Sequence, residues 1–311
     1  MKIRTRGVSY VSYRTCVKYG EWDGGLCTIE GGKSTRIEGE VPSLAETTVA
    51  GERYVGNIEG EVWKINSHEK VLVFKGKGNI EYTKYNTSSV IGMHGYGPFV
   101  VIVLICGEVH LHDTRDRKTE RAFQIEKTIT ESAIKGKKLL YVVDGRQIEI
   151  YDLENKTTKK LRSLAEGEKI TKAAFLQDDK RSAVAYGTEE GRVCVDYPDK
   201  ILGTAGYTFK AHKKDVGSDE VFYPVTMVCG VSETEIVTGG ADGKVYLWDV
   251  KSRSRIRKLC TSKNPIIHGD ANVEKGRVEA LALVVGDCLD AMYSCSAEDQ
   301  MEVHIVNVDK K

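Results

Sequence analysis

The chain has 311 residues, with 46 lysines and arginines against 45 aspartates and glutamates, so its formal net charge is +1. This near balance removes any global electrostatic case for nucleic-acid or membrane binding, although it does not exclude a local basic patch. Five prolines and the lack of a Pro-rich or Gly/Ser-rich tract argue against long linkers and disordered tails.

The cysteines and the apolar runs bear on where the protein works. Eight cysteines are scattered and form no Cys-x-x-Cys pair, so we expect reduced thiols buried as small apolar side chains, as in the cytosol or nucleus. No apolar signal core follows the basic segment Met1–Arg6. The apolar run from Phe99 to Cys106 is too short for a membrane helix and suits a buried strand.

A strand pattern recurs along the chain and is clearest between Thr238 and Asp249. There an Asp-Gly turn leads into an alternating strand that ends in Trp-Asp, which is typical of one blade of a WD-repeat propeller. Val245 anchors this strand, and its partner two residues on is Leu247. Six further segments fit the same template, in chain order Cys27/Ile29/Gly31, Val62/Lys64/Asn66, Val109/Leu111/Asp113, Ile148/Ile150/Asp152, Val193/Val195/Tyr197 and Val303/Ile305/Asn307.

The spacing of the seven anchors predicts the architecture. Successive anchors lie 35, 47, 39, 45, 52 and 58 residues apart, and the mean of about 44, which is 311 divided by 7, matches the period of WD-type blades. Most anchors have a glycine two or three residues upstream, often after an acid, as two-residue hairpin turns demand. The pattern therefore predicts an all-β chain that forms a single domain, a seven-bladed WD-repeat β-propeller over residues 1–311.

The two ends of the chain bear on how the ring closes. The first motif strand begins near residue 25 and the last nearly reaches the C-terminus, so residues 2–6 are predicted to supply the outer strand of the final blade and close the ring. The wide last spacings predict longer loops in blades six and seven. The segment Thr261–Arg277, with Asn264-Pro265 and Gly269-Asp270, is the best loop candidate.

Blade six carries polar side chains that predict a buried hydrogen-bonded chain. The indole N–H of Trp248, the hydroxyl of Thr238, the imidazole of His212 and the carboxylate of Asp242 would each satisfy the next, as buried polar groups require. We therefore interpret His212 as a structural histidine.

The sequence contains no constellation that points to catalysis. No GxSxG, HExxH, P-loop or dinucleotide fingerprint is present, so we expect a non-enzyme without metal or cofactor. His110 and His112 alternate on a strand, but metal ligation there is disfavoured. The pair Asp178-Asp179 and the acidic cluster near Asp215 are interpreted as solvated loops. The basic runs Lys159–Arg162 and Lys251–Lys258 are interpreted as solvated strand or turn faces, with RNA or phosphate binding as the sharper alternative.

A more specific order of motifs lies between residues 188 and 249. Glu190-Gly-Arg-Val193 is followed by Phe209-Lys-Ala-His-Lys213, then by Tyr223-Pro-Val225 and Gly239-Gly-Ala-Asp-Gly243. This order resembles the family that contains the budding-uninhibited-by-benzimidazole protein three, which is the Bub-kinase-binding propeller of the spindle checkpoint, and the mRNA-export propeller of the nuclear pore. Leu111-His-Asp-Thr-Arg115 is similar to the family's Leu-Trp-Asp-Pro-Arg.

The resemblance implies a platform that binds other proteins. Propellers of this family clamp an otherwise disordered peptide, the GLEBS segment, across one face, and acidic residues of the segment meet basic residues of the propeller. By position, the resemblance assigns that role to Arg192, Lys210 and Lys213. The checkpoint branch also reads a phosphorylated threonine of a kinetochore scaffold. Lys213 stands where the family has arginine, which removes the bidentate fork that suits phosphate.

The resemblance also implies partners and a location. The partner is a Bub-type checkpoint kinase in the checkpoint branch, and a nucleoporin, together with RNA, in the export branch; a generic WD-repeat scaffold is the third alternative. Val195-Asp-Tyr197 and Gly239-Gly-Ala-Asp242 favour the checkpoint branch. We therefore expect a monomeric propeller in a hetero-complex, without membrane attachment, in the nucleus and at the kinetochore, with the cytoplasm as an alternative.

Overall fold

The computed structural model describes residues 1–5, 8–13, 16–39, 41–66, 69–76, 88–177, 182–198, 205–286 and 301–308. Within these ranges every regular element is a β-strand, and the strands form seven four-stranded antiparallel sheets and one two-stranded hairpin. Seven such sheets are the architecture of a seven-bladed β-propeller. The predicted fold class is therefore confirmed.

The chain divides into two compact units, Met1–Glu38 with Arg162–Lys311, and Gly39–Leu161. The single domain over residues 1–311 stays a prediction. The second unit holds three of the sheets, and each follows the previous one along the chain. Their strands are β6 (Ser43–Val49), β7 (Glu52–Asn57), β8 (Glu61–Ile65) and β9 (Lys70–Lys75); β10 (Val90–Tyr96), β11 (Phe99–Leu104), β12 (Glu108–Asp113) and β13 (Thr119–Gln124); and β14 (Ile129–Lys135), β15 (Lys138–Val143), β16 (Gln147–Asp152) and β17 (Thr157–Lys160).

The other unit holds four sheets and the hairpin. The first sheet contains β2 (Val8–Tyr13), β3 (Val17–Glu21), β4 (Leu26–Glu30) and β5 (Lys33–Ile37). The fifth contains β18 (Ile170–Phe175), β19 (Val184–Thr188), β20 (Arg192–Asp196) and β21 (Tyr207–Lys210), and the hairpin β22 (Lys213–Val216) and β23 (Asp219–Phe222) follows it. The sixth contains β24 (Val225–Gly230), β25 (Glu235–Gly240), β26 (Lys244–Asp249) and β27 (Ser254–Thr261). The seventh contains β28 (Ile266–Glu274), β29 (Arg277–Gly286), β30 (Met301–Asn307) and β1 (Lys2–Thr5).

All seven predicted anchors lie in the third strand of their sheets, and all are buried. Because side chains alternate along a strand, the residue two positions on points to the same face. In the fifth sheet that face packs against the next sheet, since Val193 and Val195 of β20 lie in one apolar cluster with Val225 and Ile236 of the sixth sheet. Period-two alternation located the third strands correctly because the anchor face of each one is buried.

The N-terminal strand seals the seventh sheet, as predicted. Lys2–Thr5 pairs antiparallel with β30, with Ile3 opposite Val303. The amide N–H of Ile305 donates to the carbonyl oxygen of Met1 at 2.8 Å, and the N-terminal ammonium of Met1 donates to the carbonyl of Ile305 at 2.9 Å. The edge of β30 is thereby covered by the other end of the same chain.

The prediction of a loop over Thr261–Arg277 is wrong. Most of that segment is β28, the first strand of the seventh sheet, and Gly269 lies inside it. A Cβ at Gly269 would stand 2.7 Å from the sulfur of Met227 and 3.0 Å from Leu283 Cδ2. Close packing, and not a turn, therefore explains the glycine at this position. The Pro265 that suggested a turn lies just before the strand begins.

The extra length near blade six is the hairpin β22–β23, which separates the fifth and sixth sheets. Most of the extra length of the seventh blade, residues 287–300, lies outside the described residues. Six described cysteines are free thiols, three of them buried, and burial raises the pKa of the Cys194 thiol to about 12. Cys288 and Cys295 fall outside the described ranges. The described residues include no helix that is long and apolar enough to cross a membrane.

His112 is the buried histidine of β12. It is 2% exposed, and its Nδ1 hydrogen-bonds Thr119 Oγ1 at 2.9 Å. Burial lowers the pKa of His112 below its usual 6.5, although the neighbouring Asp113 and Asp116 act in the opposite direction. The folded protein therefore binds a proton at His112 less readily than the unfolded chain does.

The first prediction concerns the seal on the seventh sheet. Ile3 is partly buried against the apolar cluster of the first and seventh sheets, whereas Lys2 is exposed. We expect Ile3→Asn to lower the free energy of unfolding by about 1–2 kcal/mol through lost apolar burial, and Lys2→Asn to change it by less than about 0.5 kcal/mol. Urea unfolding midpoints measure both, and equal losses would show that the strand contributes no apolar packing.

The second prediction follows from His112. Below pH 6.5 the unfolded chain binds a proton at this position more readily than the folded chain, so stability falls as the pH falls below 6.5, by at most about 1.4 kcal/mol per pH unit. His112→Asn removes this contribution and should flatten the loss of stability between pH 6.5 and 5. Urea midpoints at pH 7.5, 6.5 and 5.5 test this, and parallel curves for the variant and the natural protein would contradict it.

Candidate partner-binding site

Arg192 and Lys210 lie directly opposite each other on neighbouring strands of the fifth sheet. Arg192 is the first residue of β20 and Lys210 the last of β21, and they are register partners across the antiparallel pair. Opposite residues of such a pair have Cα atoms about 4.5–5.5 Å apart and side chains on the same face. The structure thus brings two of the three predicted cations together.

The third predicted cation, Lys213, opens the hairpin that follows. Lys213 and Lys210 both donate to the carboxylate of Glu220 on β23. Lys213 Nζ also lies 3.4 Å from Asp215 Oδ1, and Lys210 Nζ stands 5.0 Å from the centroid of the Phe222 ring. The hairpin therefore joins Lys210 and Lys213 through one acid. The interpretation of the acidic cluster near Asp215 as a solvated loop is wrong, because the cluster lies in the two strands of this hairpin.

That hairpin carries a sequence signal that was missed. Lys213–Val216 and Asp219–Phe222 flank Gly217-Ser218, and Gly217 has a φ of +64°. A glycine and a serine between two short strand segments are typical of a two-residue hairpin.

Arg192 has an acid of its own. Its Nη1 lies 3.1 Å from Glu168 Oε1, and the Glu168 side chain is only 13% exposed. The other carboxylate oxygen of Glu168 is buried without a hydrogen-bond partner among the described residues. Arg192 therefore neutralises a largely buried carboxylate, a structural task that a buried charge requires.

The three cations are balanced by three carboxylates, those of Glu168, Glu220 and Asp215. The cationic side chains remain between 37% and 46% exposed. The two lysines lower the pKa of Glu220 to about 2, so this acid stays ionised throughout the physiological range. The site is a set of solvent-accessible ion pairs that an acidic ligand has to exchange, and not a bare basic patch.

The predicted polar set forms one continuous chain of hydrogen bonds. Trp248 Nε1 donates to Thr238 Oγ1 at 2.8 Å, Thr238 Oγ1 lies 2.9 Å from His212 Nε2, and His212 Nδ1 lies 2.8 Å from Asp242 Oδ1. His212 and Thr238 are fully buried. Since an indole can only donate, every bond is satisfied when the Thr238 hydroxyl donates to Nε2 and Nδ1–H donates to Asp242.

These buried hydrogen bonds fix His212, which lies between β21 and the hairpin, where the cations project. The amides of Ala211 and His212 both donate to the carbonyl of Gly191, at 2.9 and 3.0 Å, and the amide of Tyr223 donates to the carbonyl of His212 at 3.0 Å. Gly191 has a φ of +68°, and a Cβ there would stand 2.4 Å from His212 O. Lys210 and Lys213 lie on either side of His212, so the buried hydrogen bonds of His212 help to fix their positions.

The other candidate sites of the sequence have structural partners. Among the described residues, no group of three His, Cys, Asp or Glu is placed to hold a metal ion. His110 hydrogen-bonds Glu108 at 3.0 Å, in addition to the His112–Thr119 bond. Asp178-Asp179 lies outside the described residues.

The basic runs also have neighbours. Arg253 stands 4.2 Å from the centroid of the Tyr207 ring, and Arg255 stands 4.9 Å from that of Tyr246. Lys160 forms an ion pair with Glu149 at 3.3 Å. These contacts account for part of each basic run through packing and ion pairing within and between the sheets.

No family model matches the chain. The chain is similar to the spindle assembly checkpoint protein bub3 of Schizosaccharomyces pombe, with 25% identity over 298 residues that cover 89% of this chain and 88% of the relative. It is 40% identical over 82 residues to the mitotic checkpoint protein bub-3 of Caenorhabditis elegans, which covers 25% of this chain and 24% of the relative. It is 28% identical over 120 residues to the mRNA export factor rae-1 of the same nematode, which covers 36% and 32%. The last two alignments span about a third or less of the relatives' own length.

Among solved structures, the chain resembles the computationally designed Ika8 protein. The TM-score is 0.64 at 15% sequence identity, and the match covers 97% of this chain and 83% of that one. At this identity the likeness shows the fold alone.

The third prediction tests the buried chain. Thr238→Val leaves the Trp248 indole and His212 Nε2 without a partner, which should cost about 2–5 kcal/mol, since a buried unsatisfied group costs about 1–3 kcal/mol. Thr226→Val is the matched control, because the Thr226 hydroxyl donates to the Ile266 carbonyl at 2.7 Å and its loss leaves no unpaired donor. Urea unfolding of both variants measures the loss of stability. Equal losses would show that the hydrogen bonds among Trp248, Thr238 and His212 contribute no more than the single bond of Thr226.

Proposed function

We propose that this chain, a WD-repeat propeller of the Bub3/Rae1 type, is a non-catalytic adaptor. It binds an acidic, otherwise disordered segment of a Bub-type checkpoint kinase, a segment of the GLEBS kind. It thereby helps to recruit the kinase to a phosphorylated kinetochore scaffold in the spindle assembly checkpoint.

The observation that carries the proposal is the alignment over 89% of this chain with a protein named for the spindle assembly checkpoint. Relatives named as mitotic checkpoint proteins in plants and a nematode agree with it over shorter stretches. The geometry supports a site for an acidic segment, because Arg192 and Lys210 share one face of the fifth sheet and Lys213 lies three residues beyond Lys210.

The physical case for an adaptor rests on unequal ordering costs. The sheets are already held by backbone ladders and buried anchors, so binding orders few additional groups on this chain. A disordered partner loses most of the conformational entropy, and its acids, meeting cations at fixed positions, provide specificity and steering.

The three cations have unequal roles in this proposal. Arg192 is tied to a largely buried carboxylate at 3.1 Å, so it contributes a positioned but partly neutralised charge. Lys210 and Lys213 pair with an exposed acid that is easier to displace. A phosphate group would be held by lysine point charges rather than by the bidentate fork of an arginine.

The second candidate function is mRNA export, in which the partner segment belongs to a nucleoporin and the complex binds RNA. Relatives named mRNA export factor rae-1 and Protein RAE1 favour it, over 36% and 50% of this chain. Either function places the protein in the nucleus as part of a hetero-complex. The checkpoint function adds the kinetochore in mitosis.

The fourth prediction tests the cations with variants that reverse charge. Lys210→Glu and Arg192→Glu should each weaken capture of the native partner from cell extract at least tenfold, because each sets an acid against the partner's acids. Lys33→Glu, an exposed lysine of β5 in the first sheet, makes the same change in net charge elsewhere and should bind normally. Thermal unfolding checks that each variant is folded, and undiminished capture by both site variants would remove these residues from the interface.

The identity of the captured protein separates the two functions. A checkpoint kinase in the capture, with kinetochore localisation in mitosis, supports the first. A nucleoporin, with RNA binding that weakens steeply as salt rises, supports the second. Turnover of a substrate by the purified chain would contradict both.

A further inference from the structure

We infer that Glu220 is a built-in competitor at the partner site. It occupies Lys210 and Lys213 in the uncomplexed protein and sets the affinity that an acidic ligand must exceed. The inference rests on the proposed function, because it describes which group pairs with the lysines of that site before an acidic partner binds.

The hairpin register gives Glu220 this position. Asp215 pairs with Glu220, and Lys213 pairs with Phe222. Because side chains alternate along strands, the hairpin has two different faces. One face carries Lys213, Asp215, Glu220 and Phe222, and the other carries Lys214, Val216, Asp219 and Val221.

Only the first of these faces meets Lys210. Lys210 donates to Glu220 and lies over the Phe222 ring, so two residues of β23 engage one residue of β21. Glu220 also accepts from Lys213, whose other acid, Asp215, stands at 3.4 Å. Glu220 is therefore the single acid that spans both lysines in this part of the described structure.

The hairpin is held in place at its base. The bond from the Tyr223 amide to the His212 carbonyl closes it, and the His212 ring is fixed in the buried polar chain. Glu220 lies seven residues from Lys213, so its carboxylate acts within the same chain at a high effective concentration. An incoming carboxylate has to displace it before it can reach the two ammonium groups.

Glu220 keeps its negative charge at physiological pH, but its ion pairs with the two lysines are weak. The pKa of Glu220 lies near 2, so no physiological change of pH removes the charge. The Glu220 side chain is 36% exposed and its ion pairs are screened by water, so an acidic ligand can exchange with it.

Competition of this kind has a defined thermodynamic consequence. If the open state is a fraction of the population, every ligand that needs the lysines binds more weakly by that same fraction. Because this loss is common to all ligands, a ligand that presents neighbouring acids, or a dianionic phosphate, offsets it better than a ligand with one acid, since it can pair with both lysines. The shared chemistry of the expected ligand is a doubly negative group on an extended chain.

The fifth prediction is a titration of the full-length chain with two synthetic decapeptides of otherwise identical sequence. One carries two adjacent glutamates, and in the other phosphothreonine and alanine replace them. The amide signals of Lys210 and Lys213 in two-dimensional NMR report binding. Glu220→Gln should tighten both peptides about 3- to 10-fold and by the same factor within twofold, because it removes one competitor.

Asp219→Asn is the matched control. It removes one negative charge from the neighbouring position, on the hairpin face turned away from Lys210, where Asp219 contacts Ser218. It should change either dissociation constant less than 1.5-fold. Equal tightening by both variants would show a general charge effect, and weaker binding by Glu220→Gln would show that Glu220 positions the lysines; either result overturns the inference.

The two proposals fail separately. If Lys210→Glu loses the native partner while Glu220→Gln binds the peptides no more tightly, the adaptor function stands and the competitor is refuted. If Lys210→Glu retains the partner fully while Glu220→Gln tightens both peptides, Glu220 competes for the two lysines, but the partner site lies elsewhere and the proposed adaptor site is refuted.

Discussion

The constraint on which the whole structure depends is that a four-stranded sheet cannot bury its own faces. Within each of the two units, neighbouring sheets bury these faces against each other, and third-strand anchors take part in that contact. Val62 lies in one apolar cluster with Val90 and Val100 of the following sheet, and Val109 does the same with Ile129 and Leu139. Val245 repeats the arrangement with Ile266 and Leu283. Because every sheet solves the same packing problem, the same short pattern recurs in the sequence while the rest of each blade varies.

The proposed partner-binding site lies where that repetition is interrupted. Between the fifth and sixth sheets the chain inserts a hairpin, and the buried chain from Trp248 through His212 to Asp242 fixes the start of it. The polar residues are thus structural in their contacts, yet they determine where Lys210 and Lys213 stand. The same junction provides the acids that oppose these cations, so the resting surface is close to neutral. Under the proposed function, this arrangement avoids indiscriminate binding of acidic partners and still offers charge to a ligand that can exchange the ion pairs.

How far the sequence predicts this structure depends on the range of the interactions. Alternation located all seven third strands and an upstream glycine marked six of them, because these signals lie within a few residues of one another. The seal by residues 2–5 followed from counting strands at the two chain ends. The pattern failed at Ile266–Glu274, where Pro265 and Gly269 have the composition of a turn but serve a strand start and a close packing contact. The candidate cations were named from a family resemblance, but their acids were not, since Glu168 and Arg192 are 24 residues apart in sequence and meet only once the fifth sheet has formed.

The central claim is that an acidic segment of a partner docks on the fifth sheet and the hairpin beside it. Hydrogen–deuterium exchange of the full chain, alone and in complex with the captured partner, tests this most directly, because it reports every amide without altering a residue. The account predicts new protection in residues 188–198 and 205–224, at the ends of β20 and β21 and along the hairpin. Protection confined to other sheets, with exchange in these segments unchanged, would contradict it.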